Sequence, residues 1–509
     1  MRTSALLLLL LLSCISVSAQ DKKSKGYVTS AQTAYAAKNY TECVALSTKA
    51  IGRDGNYADA YFIRGKAFLS QGNPLQALAD FTRVIELQPD YAEAFFYRGL
   101  AEGRLGEDSA AIADYTQSIR LDPRRGESYN NRGTIYLAQH DYSNAQHDFR
   151  QAIDLFPDND TIYYNLGICE YQLDHPDKAM EYANASLKLG KTSSAYALRG
   201  VVYEDREQYQ LAINDFNQSL LLLPDQPEVL RDRGVAYSGM NRYDEALADF
   251  DRSIALRKDS AQTYLDRGKV YMALGKTDLA LNDYNTAIRL APTNAFAYYH
   301  RAVLGFATEQ YENAYADVNV SIRLKPTAMA YCLRGALRIE LDLYEDEDVL
   351  DDFNKSLTIE KTAKGYNERS KAYQLLDEPE KALADADSAI AMDSLTAEFY
   401  VNRAYLFVGY RDRKRAIADC NTVIRLSNGI PQAYLLRGRC NYDLNLFDDA
   451  MIDFNKVITL DPSMAEAYYQ RGICWYSKGD NKKAAADFSK ALELDPGNPQ
   501  YERYLKMMK

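Results

Sequence analysis

Twelve arginines and twelve aspartates keep step along this chain, and a planar guanidinium facing a carboxylate is among the strongest pairings that side chains make. The arginines are Arg64, Arg98, Arg132, Arg199, Arg233, Arg267, Arg301, Arg334, Arg369, Arg403, Arg437 and Arg471. The aspartates are Asp80, Asp114, Asp148, Asp215, Asp249, Asp283, Asp317, Asp352, Asp385, Asp419, Asp453 and Asp487. Where the pattern loses one it loses the other: Ser30 goes with Leu46, and Leu166 with Tyr182. Joint loss assigns each Arg to an Asp of its own segment, as a fork that fixes the register of two elements. The rival use, a guanidinium track for anions, requires cations that no carboxylate already neutralises.

Other chemistry is sparse. His140, His147, His175 and His300 have no metal-ligand spacing, and there is no phosphate loop, nucleophile elbow or further paired-carboxylate signal. No catalytic residue, metal or cofactor is therefore assigned. Glu340, Asp342, Glu345, Asp346, Glu347, Asp348, Asp351 and Asp352 lack the glycine and spacing of a calcium loop. They read first as a solvated turn, and second as a contact for a basic partner or a loose divalent-cation site. The basic turn Arg411, Arg413, Lys414 and Arg415 has the same bland reading.

The elements that carry these side chains repeat. Gly65, Gly99, Gly133, Gly167, Gly200, Gly234, Gly268, Ala302, Gly335, Ser370, Ala404, Gly438 and Gly472 follow one another at steps of 33 to 35 residues, and one step back lies Ala31. Each unit holds two stretches of apolar residues at helical period, with a turn between them and often a proline after the second. An aromatic stands four residues before the anchor in nearly every unit, and an alanine recurs in the second stretch. A hairpin this small cannot bury its apolar side alone, so the units must stack. Their expected bounds are 24–57, 58–91, 92–125, 126–159, 160–192, 193–226, 227–260, 261–294, 295–327, 328–362, 363–396, 397–430, 431–464 and 465–498, followed by a capping helix over 499–509.

With aromatic, glycine, alanine, aromatic and proline in that order at a period near 34, the chain resembles the tetratricopeptide repeat family over 24–498. That resemblance implies an all-α fold, a TPR-type α-solenoid in which about 14 antiparallel helix pairs form a right-handed superhelix. It also implies a concave groove, lined by first helices, that binds proteins or peptides. Matching the groove positions selects Phe62, Phe96, Tyr97, Asn130, Asn131, Tyr164, Asn165, Tyr299 and His300 as partner-binding candidates. The family's clamp for acidic tails is incomplete here, because Lys66, Asn131 and Asn165 lack the further cations. A glycan or peptidoglycan-fragment module, and an architectural spacer, are the alternative functions.

Residues 1–19 read as a secretory signal: Arg2, an apolar block from Ala5 to Leu12, and small residues before Gln20. A short spacer, 20–23, follows. Leu11-Leu12-Ser13-Cys14 resembles a bacterial lipoprotein box, which makes lipidation of Cys14 the alternative processing. Either reading takes the protein out of the cytoplasm, and the Ala-Gln ending resembles exported proteins of Gram-negative bacteria, which implies the periplasm or cell envelope of such a bacterium, with no transmembrane span in the mature chain. The remaining cysteines (Cys43, Cys169, Cys332, Cys420, Cys440, Cys474) read as buried free thiols. With 71 acidic against 60 basic residues, the net charge of -11 argues against broad nucleic-acid binding.

Overall fold

The computed structural model describes residues 23–343 and 346–507, and the side chains of 346–348 lie outside that description. The signal, Cys14 and Glu345 fall outside the described residues. Helices account for nearly all that is described, in two compact units, one ending at Lys258 and the other beginning at Asp259.

In the first unit the helices are α1 (23–36), α2 (Tyr40–Ile51), α3 (Ala58–Ser70), α4 (Pro74–Leu87), α5 (Ala92–Leu105), α6 (Asp108–Leu121), α7 (Gly126–Ala138), α8 (Tyr142–Leu155), α9 (Asp160–Gln172), α10 (Pro176–Leu189), α11 (Ser193–Asp205), α12 (Tyr209–Leu222), α13 (Pro227–Gly239) and α14 (Tyr243–Leu256). The second unit has α15 (Ala261–Ala273), α16 (Thr277–Leu290), α17 (Ala295–Ala307), α18 (Tyr311–Leu324), α19 (Ala328–Glu340), α20 (Asp346–Ile359), α21 (Ala363–Leu375), α22 (Pro379–Met392), α23 (Ala397–Gly409), α24 (Arg413–Leu426), α25 (Pro431–Asp443), α26 (Phe447–Leu460), α27 (Ala465–Ser477), α28 (Asn481–Leu494) and α29 (Pro499–Met507). Each unit is an α-solenoid of seven consecutive hairpins; in the second, α29 follows the last. Among the described residues there are no strands, and no helix is long and apolar enough to cross a membrane.

Local chemistry sets the boundaries. Proline opens α4, α10, α13, α22 and α25, where its missing N–H costs nothing. Asn39, Asp141, Asn159, Thr192, Ser260, Asp412 and Asp480 cap helix starts through side-chain oxygens. Among the described residues every hairpin turn contains one of left-handed backbone: glycine at 72, 106, 275 and 479, and a non-glycine such as His140 or Asn241 in the other ten. Pro89, Pro123, Pro157, Pro224, Pro292, Pro326, Pro462 and Pro496 stand two residues past the ends of second helices.

Inside a hairpin the anchor residue faces the second helix at close range. A Cβ on Gly268 would sit 2.6 Å from Cε1 of Tyr284, and one on Gly200 would sit 2.6 Å from Cε1 of Phe216. Where the anchor is Ala302, Ser370 or Ala404, the residue sixteen places on is Val318, Ala386 or Cys420 instead of an aromatic. The ring and the glycine are therefore one packing unit, except at Gly167, which has Ala183 sixteen places on and where a Cβ would instead meet Leu198 at 2.8 Å.

All twelve ladder arginines donate from Nε and one terminal nitrogen to both oxygens of the Asp in their own hairpin, at 2.6–3.0 Å. In at least ten of them the other terminal nitrogen reaches back to the preceding hairpin, to Thr48, Thr116, Asn184, Asn217, Asn285, Asn319, Asn354, Asp387, Asn421 or Asn455. Sequence reasoning missed this rung, although an Asp-x-Asn text recurs at Asp215, Asp283, Asp317, Asp352, Asp419 and Asp453. The fifth hairpin, which has Leu166 in place of Arg, is joined differently. Its buried Glu170 accepts 2.6 Å from Arg150 of α8 and lies 2.9 Å from Nδ1 of His175. Burial pushes the Glu170 carboxyl up, but the bonds from Arg150 and His175 outweigh it and hold it below the ordinary value. The six described cysteines are buried free thiols.

Candidate partner-binding face

First helices lie against one another within each unit, and their shared face carries the candidate residues. In the second unit α17, α19 and α21 enclose a cavity of about 820 Å³. Its wall is made by Tyr299, Val303 and Phe306 of α17, by Cys332, Leu333 and Ala336 of α19, and by Leu375 of α21. Ala336 gives it depth, because the equivalent positions of the flanking repeats carry Val303 and Lys371. Met329 and Leu375 stand on its rim with about half their surface exposed, 51% and 54%. Such apolar surface, left unburied beside a preformed cavity, has the character of a ligand site.

Charge is arranged around that surface. Lys371 pairs with Glu368 at 3.0 Å and with Glu398 at 2.8 Å. Burial alone would lower its pKa, but the two carboxylates hold the ammonium above the ordinary lysine value. Burial, with Glu368 nearby, pushes the Cys332 thiol up to about 12, so it contributes an apolar wall and not a nucleophile. Lys364 is exposed at the end where α21 begins, and Glu340 at the end where α19 finishes. The site thus offers an apolar floor with a cation at one end and a carboxylate at the other. Tyr299 lines the cavity. His300 packs edge-on to Tyr299 at 5.2 Å and stacks near Tyr284 at 6.1 Å; burial, helped by Lys269, lowers its pKa to about 4 and keeps it neutral at pH 7.

In the first unit the aromatic candidates divide. Phe62 and Phe96 are buried, which corrects the expectation that they line an open groove. Phe62 is enclosed by Phe81, Tyr91 and Tyr97, with ring centroids 5.8, 5.0 and 5.5 Å away, and Phe96 by Tyr97 and Tyr115 at 5.1 and 6.0 Å. They fill the gap between hairpins because large rings gain most from removal from water. Tyr97 is half-buried and stacks on Phe81 at 5.6 Å. Its outer side meets the ammonium of Lys66, which lies 4.9 Å from that ring and 5.4 Å from each of Tyr35 and Phe62. Asn130, Asn131, Tyr164 and Asn165 are half-buried; Asn130 donates to Asn131 at 3.4 Å, while its own Oδ1 is buried without a hydrogen bond. Tyr299, on the α17 wall of the second-unit cavity, was among the candidates read from the sequence, whereas Lys66 and the α19 and α21 walls were not singled out as parts of a site, since three-dimensional convergence across hairpins leaves no local motif.

The ladder arginines flank this face but are saturated by their carboxylates, so they do not form an anion track. Among the described residues no group of three or more His, Cys, Asp or Glu is placed to hold a metal ion.

Family models described as tetratricopeptide repeat match residues 64–125 and 130–194, 198–265, 431–464 and 465–498, and one described as TPR repeat matches 268–308. No curated protein matches the chain. Among solved structures it is similar to the APC/C hetero-tetramer Cut9–Hcn1, at 12% identity over 98% of both chains with a TM-score of 0.48. It is also similar to a tetratricopeptide repeat protein from Parabacteroides merdae, at 24% identity over 46% of this chain and 93% of that one, TM-score 0.39. YrrB, a TPR protein with an unusual peptide-binding site, is 22% identical over 36% of this chain and 95% of its own, TM-score 0.32.

Proposed function

The chain belongs to the tetratricopeptide repeat family, and from that premise we propose that it is a scaffold that holds a polypeptide partner against its first-helix face. The observation that carries the reading is the 820 Å³ cavity between α17, α19 and α21, with exposed Met329 and Leu375 on its rim. Aliphatic side chains of a partner would fill the floor, and the fixed charges of Lys364 and Glu340 would favour one direction of the bound segment. Residues 1–19 support export, so the scaffold works in the cell envelope, in assembly, secretion or envelope organisation.

The test is affinity capture from envelope extract with the wild type and with Met329→Glu/Leu375→Glu, which changes two exposed side chains and leaves the core alone. The expected result is a defined protein partner, identified by mass spectrometry, that the variant loses. Retention of the same proteins by the variant, or retention of glycan alone, overturns the reading. Mass spectrometry of the mature protein tests export separately, by distinguishing cleavage before Gln20 from a lipidated Cys14 and from an unprocessed terminus.

A further inference from the structure

Seven ladder arginines have an aromatic ring four residues on, lying over the guanidinium with its centroid within 6.0 Å: Phe68, Tyr136, Tyr203, Tyr237, Tyr271, Tyr373 and Phe407. In most of these a second ring, three residues before the Arg, lies over it as well, as Tyr129 does at Arg132. At Arg301 the earlier ring is present, Tyr298 at 5.8 Å, but the later position is Gly305. A cavity of about 510 Å³ opens there, bounded by Arg301, Leu304 and Gly305 of α17, Leu281 of α16, and Gln310 and Asn313 beside and on α18. In two of the seven the third residue of the second helix closes over the ring, Lys381 over Tyr373 at 5.4 Å and Arg415 over Phe407 at 4.5 Å. Its counterpart here is Asn313.

We propose that this cavity receives an aromatic side chain of a polypeptide partner, laid on Arg301 where seven other repeats supply a ring from within. The edge of the guanidinium is already engaged, by Asp317 at 2.7 Å through two nitrogens and by Asn285 at 2.6 Å through the third. What Arg301 has left to offer is mainly its face, and a face selects a planar ring. Asp317 beside it disfavours an anion. The volume lies within the roughly 300–1,000 Å³ typical of ligand pockets and leaves room for the ring's own backbone, which Gln310 and Asn313 can hydrogen-bond. The inference rests on the reading of the chain as a polypeptide binder but uses a different face from the first-helix cavity.

The test is saturation-transfer NMR on the full chain with N-acetyltyrosinamide as probe and N-acetylleucinamide as aliphatic control. Wild type should transfer saturation to the tyrosine ring protons, and the signal should fall at least threefold in Gly305→Tyr, which fills the cavity from within. A Cβ at 305 would lie 3.0 Å from Cβ of Ala314, so Asn313→Trp, an exposed change at the mouth, gives the decisive reading if Gly305→Tyr does not fold. An undiminished ring signal in Asn313→Trp, or an equal leucine signal lost on the same substitution, overturns the proposal. Because Met329 and Leu375 are not part of this cavity, failure of the capture experiment with a positive ring signal would remove the first-helix site and leave this one standing.

Discussion

Arg267 and Asp283 illustrate how much one side chain carries. Asp283 is almost wholly buried, and both of its oxygens accept from Arg267. In the corresponding pair of the second hairpin, burial raises the Asp80 carboxyl against the pull of Arg64, the sign of a charge tolerated only because it is matched. Arg267→Leu is therefore expected to cost about 3–5 kcal/mol, and Arg267→Leu/Asp283→Leu to recover most of it, as read by chemical denaturation. Glu102 makes the opposite case. It occupies the ring position beside Arg98, its Oε2 is buried without a hydrogen bond, and burial together with Asp114 raises its pKa from 4.5 to about 7. Between those values the folded state holds a proton that the unfolded state has released, so stability falls as pH rises from 4.5 through about 7. Allowing for its partial exposure, Glu102→Gln should stabilise the protein by about 1 kcal/mol at pH 8 and leave it unchanged at pH 4, measured as denaturation midpoints at both pH values.

At the scale of elements, the hairpin depends on the match between anchor and ring. Gly268→Ala drives a methyl into Tyr284 and should cost about 1–3 kcal/mol. In a Tyr284→Val background, which copies the Ala302 and Val318 combination, the same change should be neutral or stabilising, because alanine favours a helix by up to about 1 kcal/mol over glycine. Thermal unfolding of the four proteins would show that coupling. The two-helix hairpin was legible in the sequence because its determinants are local: apolar period, Pro74 or Pro176 at a helix start, Pro89 or Pro292 beyond a helix end. The Arg and Asp rows were equally plain, since they recur. The exchange of ring for small residue at Val318, Ala386 and Cys420 was in the same text, but only the contact between helices gives it meaning. Phe62 and Phe96 were misplaced for a related reason. Spacing puts a residue on a helix face, while its exposure depends on bulk brought up by other elements, Tyr91 and Tyr97 against Phe62 and Tyr115 against Phe96.

At the scale of the whole molecule, stability is spread over many neighbouring interfaces instead of one core. The single tryptophan, Trp475 in α27, reports on the end of the second unit, where Tyr501 and Tyr504 of α29 cover Tyr469. Helical circular dichroism reports on all hairpins together. The two midpoints in urea are expected to differ, and coincident transitions would show instead that the chain unfolds as one cooperative block. The cavities at Leu333 and at Arg301 were not legible at this scale, because each arises where a repeat departs from its neighbours: Ala336 leaves depth in one, Gly305 in the other. The division at Lys258 also leaves no trace in the text, where Arg233, Asp249, Arg267 and Asp283 keep their step. The Asn rung has a consequence for how such a chain can lengthen. A hairpin with both an Arg that reaches back and an Asn offered forward carries two compatible ends, so a copied segment can be inserted beside its parent with every bond remade. The fifth hairpin breaks that freedom. Leu166 offers no guanidinium, and Glu170 requires Arg150 from the hairpin before it, so those two hairpins can be inherited only together.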